Sequence, residues 1–284
     1  MEKNKSRRLQ EVKRELKHNK ASLFAVIFLI FIILLSVFAF LSPYKPDAVN
    51  VSGALGKPSL AHIFGTDELG RDYFTRAMYG GRISLTVGLL AMVISTTIGV
   101  TVGTISGYFG GWIDNFLMRI VDIVSSVPWM ILVTVVSIYL TPGLHAIIIV
   151  IGLFTWMNIA RLVRAETLSV KEREYVLYSI VSGQSSKNII IKHLLPAVFP
   201  TVIVASTISI ANAIMMESSL SFLGLGVQQP MSSWGSMLQS AQSHIGDAPY
   251  MAILPGLLIV LTVYSFNKSG DLVRVFAEPR IGSR

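Results

Sequence analysis

Six runs of apolar residues, at positions 21–41, 84–107, 120–140, 144–160, 198–220 and 251–266, are separated by polar stretches along the chain. A helix needs about 20 predominantly apolar residues to cross the hydrocarbon core of a bilayer, and the runs have or approach that length. The pattern predicts an all-α polytopic membrane protein with six transmembrane helices. The first run does not read as a cleavable signal peptide. It is too long for an apolar signal core, the twenty residues before it are largely charged, and no small-x-small site follows.

The remaining residues organise around these spans. Residues 1–20 read as an amphipathic arm at the headgroups, and 21–41 as the first transmembrane helix. Residues 42–83, rich in Pro, Gly, Asp and Ser, read as an extracytoplasmic segment too poor in apolar residues to fold as a domain of its own. Residues 84–271 form a five-helix core interrupted by a polar loop at 161–197, and 272–284 form a tail. The inverted repeats of many secondary transporters are not visible.

Composition sharpens this picture. Hydrophobic residues make up 52% of the 284 and charged residues 14%, against about 25% charged in soluble domains; the mean hydropathy is +0.62. A net charge of +8 would suggest a nucleic-acid partner in a soluble protein, but its distribution reports topology here. Nineteen of the 24 Lys and Arg lie before residue 21, between 107 and 119, between 161 and 196, or after 266, and the other five lie between 45 and 82. The positive-inside rule then places both termini and the 161–197 loop in the cytosol, and makes the basic leader a solvated arm against lipid. The absence of cysteine excludes a disulfide framework and a thiolate metal site.

Three polar features stand out. In the 161–197 loop, Glu172, Arg173 and Glu174 open a short helix, with acidic groups suited to its N-terminus. Tyr175, Val176, Leu177, Tyr178 and Ser179 continue it, Gly183 breaks it, and Pro196 starts the next span. Helix, break and second helix make a compact knob able to transmit rigid-body motion; the plain alternative is an interhelical loop. In the second span Gly99, Gly103 and Gly107 share one helix face, where backbones can approach closely. Glu217 is the one acid deep in an apolar run; intramembrane acids face a cavity or a partner, so it either lines a translocation path or hydrogen-bonds to a neighbouring helix. Among other charged residues, Arg119 and Asp122, and Asp271 and Arg274, have the i, i+3 spacing of helical pairs. Asp67, Arg71 and Asp72 suit a structural turn better than a metal site, because the arginine opposes a cation.

The 161–197 loop resembles the cytosolic coupling loop of ABC importer permeases, whose pattern is Glu-Ala-Ala, three residues, Gly, nine residues, Ile-x-Leu-Pro. Gly183, Leu195 and Pro196 match; Leu177, Tyr178 and Ser179 stand at the Glu-Ala-Ala positions, and His193 replaces Ile. Five further motifs, in order along the chain, resemble the dipeptide, oligopeptide and nickel branch of that family. They are Gly65-Thr66-Asp67-x-x-Gly70-Arg71-Asp72, Gly107-Tyr108-Phe109-Gly110-Gly111, Glu217-Ser218-Ser219-Leu220-Ser221-Phe222-Leu223-Gly224, Trp234-Gly235-Ser236-Met237-Leu238 and Phe266-Asn267-x-x-Gly270-Asp271. The resemblance is to a peptide-type, "C"-type permease subunit of type I fold in a bacterial cytoplasmic membrane. It implies a homologous second permease, two cytosolic ATPase subunits that carry ATP and Mg, and an extracytoplasmic substrate-binding protein. It also implies that Glu174, Tyr175, Val176, Leu177, Tyr178, Ser179, Gly183 and Pro196 serve ATPase coupling; Glu217, from its place in an apolar run, is the candidate for the translocation path.

The chain itself carries no Gly-x-x-x-x-Gly-Lys-Ser/Thr phosphate loop, no His pair at ligand spacing and no nucleophile beside a base. No catalytic residue, bound cofactor or metal is expected on it. Import of nickel or a metal chelate by the same machine is the nearest alternative to peptides. An ion-coupled secondary transporter, which would call for paired intramembrane acids, is a more distant one.

Overall fold

The computed structural model describes residues 14–139 and 143–277. Helix α1 (Lys20–Val37) runs into a 3-10 turn (Phe38–Leu41). After an irregular segment come α2 (Tyr73–Phe109), α3 (Gly111–Ser126), α4 (Trp129–Tyr139) and α5 (Leu144–Lys171). The short helices α6 (Glu174–Val181) and α7 (Ser186–Ile189) lead through a π turn (Ile190–Leu194) into α8 (Leu195–Phe222). A short helix α9 (Trp234–Ala241) precedes α10 (Tyr250–Ala277). Five helical stretches are long and apolar enough to cross a membrane, or six if α3 and α4 form one bent span. Residues 1–13, most of the expected arm, and 278–284 of the expected tail lie outside the described residues.

The third expected span, 120–140, is not a straight helix. The chain breaks at Val127 and Pro128, and α3 and α4 diverge by 86°. Val127 is extended (φ −88°, ψ 130°), the conformation a following proline favours. The Pro128 carbonyl restarts the helix by accepting from the amides of Ile131 (3.0 Å) and Leu132 (3.3 Å). Other helices outrun their apolar cores. Asp72 caps α2 through Oδ2, which accepts from the Thr75 amide at 2.8 Å, so that helix starts at Tyr73 rather than near residue 84. Its 37 residues span about 55 Å, well beyond the roughly 30 Å hydrocarbon core. Helices α5 and α10 likewise continue past 160 and 266, because lysine, arginine and glutamate are good helix formers once outside the apolar slab.

The glycine stripe of α2 lies against α5. A Cβ at Gly99 would sit 2.7 Å from Ile159 Cβ, one at Gly103 2.5 Å from the Ala160 carbonyl oxygen, and one at Gly107 2.8 Å from Thr167 Cβ. Close backbone approach is the main source of helix attraction where lipid removes the hydrophobic drive. Charged contacts extend this seam at one end. The Arg164 Nε and Nη2 donate to the two Asp114 carboxylate oxygens at 2.5 and 2.6 Å, and Lys171 Nζ donates to the Tyr108 carbonyl at 2.7 Å. Asp122 takes its bond from Arg161 Nη2 across to α5 (3.0 Å), not from Arg119 one turn away, since α5 runs alongside.

At the opposite end, residues 42–72 fold over the start of α2. Arg71 Nε donates to Asp67 Oδ2 at 2.7 Å and Nη2 to Glu68 at 3.1 Å, while Asp67 Oδ1 accepts from the amides of Leu69 and Arg71. Arg76 Nε lies 3.3 Å from the same carboxylate. Asp67, Arg71, Asp72 and Arg76 are all buried, so the segment is a knot of charges paired with one another. Tyr250 OH pins it to α10, its one proton shared between the carbonyl oxygens of Gly56 and Thr66, both at 2.9 Å.

The stripe generates a stability prediction. Gly103→Ala forces a methyl against the α5 backbone and costs about 1–3 kcal/mol, which lowers the thermal midpoint of the detergent-solubilised protein. Gly246→Ala, where nothing lies within 4 Å, leaves the midpoint unchanged. Equal midpoints for the two variants would refute the close-packed seam.

Candidate functional site

The knob begins where α5 ends. Helix α6 closes with Gly183 at φ +75°, in the left-handed region that costs other residues about 1–2 kcal/mol. Its amide donates to the Ile180 carbonyl (3.0 Å), and the Gln184 amide to the Ser179 carbonyl (3.2 Å), the paired bonds of a Schellman cap. Ser185 caps α7 by accepting from the Asn188 amide at 3.4 Å. Pro196, expected to start a new span, lies just inside a continuous helical stretch, Ser186–Phe222. Proline removes an i to i−4 bond, and the preceding π turn absorbs that loss: the Leu195 amide reaches back to the Ile190 carbonyl.

The expected coupling residues divide between two faces. Val176 is wholly buried and Ser179 nearly so. Val176 joins Ile159, Val163 and Val170 of α5 and Ile189, Leu194, Val198 and Val202 of the following helix in one apolar cluster. Ser179 Oγ donates to the Tyr175 carbonyl (2.8 Å), and His193 Nε2 lies 3.4 Å from Ser179 Oγ and 3.3 Å from Gln184 Oε1. Leu177, Tyr178 and Val181 form the other face, 47%, 75% and 87% exposed, with Glu174 in line with them at the first turn. Pro196 is exposed, away from this ridge. Val181 was missed in the sequence, although its spacing from Leu177 and Tyr178 is that of one helix face.

A cavity of about 620 Å³ opens between α4, α5 and α8, lined among others by Trp129, Phe154, Asn158, Asn212, Met216 and Ser219. Two carboxamides within apolar helices signal a polar route, and sequence reasoning passed over them because it weighted charge. Glu217, expected on the path, lies on the opposite face of α8 from Asn212, Met216 and Ser219 and is 0% exposed. Its carboxyl group accepts from Ser84 Oγ (2.9 Å) and Ser221 Oγ (2.7 Å). Ser84 Oγ also accepts from the Trp234 amide (3.4 Å), and Ser221 Oγ from the Val227 amide (3.2 Å) and Ser233 Oγ (3.3 Å). Glu217 thus ties α2, α8 and the start of α9 together.

Knob, stripe and cavity belong to a helical membrane protein whose knob carries an exposed apolar ridge. The model of the family "Binding-protein-dependent transport system inner membrane component" matches residues 99–283. The chain belongs to that family. A second model, the N-terminal TM domain of oligopeptide transport permease C, matches residues 7–58 of this permease. The chain is 40% identical to the oligopeptide transport system permease protein OppC of Haemophilus influenzae, over 95% of this chain and 88% of that one. It is 39% identical to the dipeptide transport system permease protein DppC of Bacillus subtilis (96% and 86%), and 38% identical to the glutathione transport system permease protein GsiD of Escherichia coli (94% and 89%). An inward-facing structure of the MetNI methionine ABC transporter superposes with a TM-score of 0.60 at 23% identity, covering 71% of this chain and 96% of that one; this likeness shows the fold, that of a type I ABC importer permease. The protein is therefore a multi-pass ABC importer permease, and its family works by transport rather than by catalysis.

The serine cage yields a second prediction. Glu217→Ala leaves the buried Ser84 and Ser221 hydroxyls short of an acceptor, at about 1–3 kcal/mol each, whereas Glu217→Gln keeps one carbonyl oxygen. The alanine variant should melt well below the glutamine variant. Identical melting would show that the carboxyl group does not hold the three helices.

Proposed function

We propose that this permease forms one half of the translocation pathway of an ATP-driven importer of di- or oligopeptides, with a homologous permease forming the other half. Of two cytosolic ATPase subunits, holding ATP and Mg, one docks on the α6 knob, and an extracytoplasmic binding protein delivers substrate. Both termini and the knob face the cytosol of a bacterial cell, residues 42–72 face outward, and the 620 Å³ cavity is this chain's share of the path. The observation that carries the reading is the two-faced knob: Leu177, Tyr178 and Val181 stand exposed on a helix whose other face is locked by Val176 into the spanning helices. An apolar ridge in water calls for a partner, and a locked base passes that partner's displacement to α5 and α8. Neutral carboxamides at Asn158 and Asn212 suit the amides of a peptide better than a bare nickel ion, which prefers imidazole.

Substituting Tyr178 and Val181 together with Asp tests the docking face. Loss of an aromatic anchor at an interface costs about 2 kcal/mol or more, so substrate-stimulated ATP hydrolysis and uptake should fall at least tenfold while membrane insertion is unchanged. Normal coupled uptake would overturn the role of the ridge. Uptake of labelled di- and oligopeptides, beside labelled nickel with and without chelators, should be lost for peptides alone in cells lacking this chain. Loss of nickel uptake alone would move the substrate to metal.

A further inference from the structure

A separate cleft of about 350 Å³ lies at the end of the bundle that carries residues 42–72, at the small end of the roughly 300–1,000 Å³ range of ligand pockets. Arg76 of α2, Gln228 and Gln229 of the turn after α8, and Ser236, Gln239 and Ser240 of α9 line it. Its hydrogen-bonding capacity is largely unspent. The carboxamides of Gln229 and Gln239 and the Ser240 hydroxyl have no side-chain hydrogen bond among the described residues, whereas Gln228 Nε2 donates to the carbonyls of Gly226 (3.1 Å) and Gly224 (3.4 Å), leaving its oxygen open.

The cleft's single charge is already answered. Arg76 is 5% exposed; its Nε lies 3.3 Å from Asp67 Oδ2, and its Nη1 lies 3.8 Å from Asp47 and donates to the Pro46 carbonyl at 3.2 Å. A guanidinium so paired has little to offer a free carboxylate, and the cleft has no acid for an ammonium and no imidazole or thiolate for a metal. What remains is a set of neutral groups that each present a donor and an acceptor side by side. A secondary amide in an extended backbone carries the complementary pair, and it is the group that the peptide reading supplies.

We propose that this cleft binds the backbone amides of a peptide at the outer mouth of the permease, through Gln229, Gln239, Ser240 and the Gln228 oxygen. It is a receiving site distinct from the cavity between α4, α5 and α8, and it reads amides rather than termini or side chains, so it tolerates varied peptide sequences. It rests on the peptide reading above. Anchoring at the start of α9 supports it: Ser232 Oγ donates to the Arg76 carbonyl (3.2 Å) and Trp234 Nε1 to the Ala77 carbonyl (2.9 Å), which holds the α9 wall against α2.

The test uses the complete transporter in proteoliposomes with its binding protein and two labelled probes, trialanine and its analogue with one amide replaced by an ester. Gln229 and Gln239 are exposed, so Gln229→Ala/Gln239→Ala keeps the assembly intact, as size-exclusion chromatography checks. The KM for trialanine should rise about tenfold, as expected for losing two hydrogen bonds, with ATP hydrolysis in the absence of substrate unchanged. The preference for trialanine over the ester should shrink in the variant; the binding protein is the same in both transporters, so its own preference cancels. Trialanine uptake with unchanged KM and unchanged preference overturns the cleft and leaves the peptide reading standing. No uptake of trialanine, or of the longer alanine peptides offered beside it, by the unaltered transporter overturns both.

Discussion

The seam between α2 and α5 is the constraint on which the rest of the molecule hangs. In lipid, apolar side chains gain little by leaving the solvent for each other, so helices are held by close approach and by polar contacts. Gly99, Gly103 and Gly107 supply the first, at distances where any side chain would strike the α5 backbone or a β-carbon. Lys171 with the Tyr108 carbonyl, and Arg164 with Asp114 at the neighbouring start of α3, supply the second, at the end where α5 leaves the apolar region. The knob follows directly from Lys171, so its position relative to the spans is set by this seam.

The polar groups inside the bundle divide the labour. The Glu217 cage joins α2, α8 and α9 on one face of α8, and Asn212, Met216 and Ser219 face the cavity on the other. One helix therefore carries a fixed face and an open face, and the fixed face keeps its place in the bundle beside the cavity. The knob repeats the arrangement on a smaller scale, with Val176 inward and Tyr178 outward.

Much of this was legible from residue order alone. Apolar runs located the spans, the glycine spacing announced a packing face, and the Gly183 break delimited α6. What escaped depended on tertiary context. Pro128 breaks its helix, whereas Pro200 and Pro255 sit inside theirs, and nothing in the apolar composition of 120–140 separates the two outcomes. Asp122 had a partner at helical spacing in Arg119 and another, 39 residues on, in Arg161; only the docking of α5 decides for Arg161. For Glu217, both a path-lining and a helix-bridging role suit a lone intramembrane acid, and the difference is which face of α8 meets Ser84. The exposed face of the knob was half visible, since the motif drew attention to Leu177 and Tyr178 but stopped short of Val181.

The central claim is that knob and seam move as one body. Spin labels at Ile180, exposed on α6 beside the ridge rather than on it, and at Ala165 on the exposed side of α5 would report it, in the assembled transporter, as a distance distribution measured without nucleotide and with ATP trapped. The account predicts the same distance in both states, because the cluster around Val176 locks α6 to α5. A shift between the two states would contradict it, showing that the knob flexes against the spans instead of carrying them.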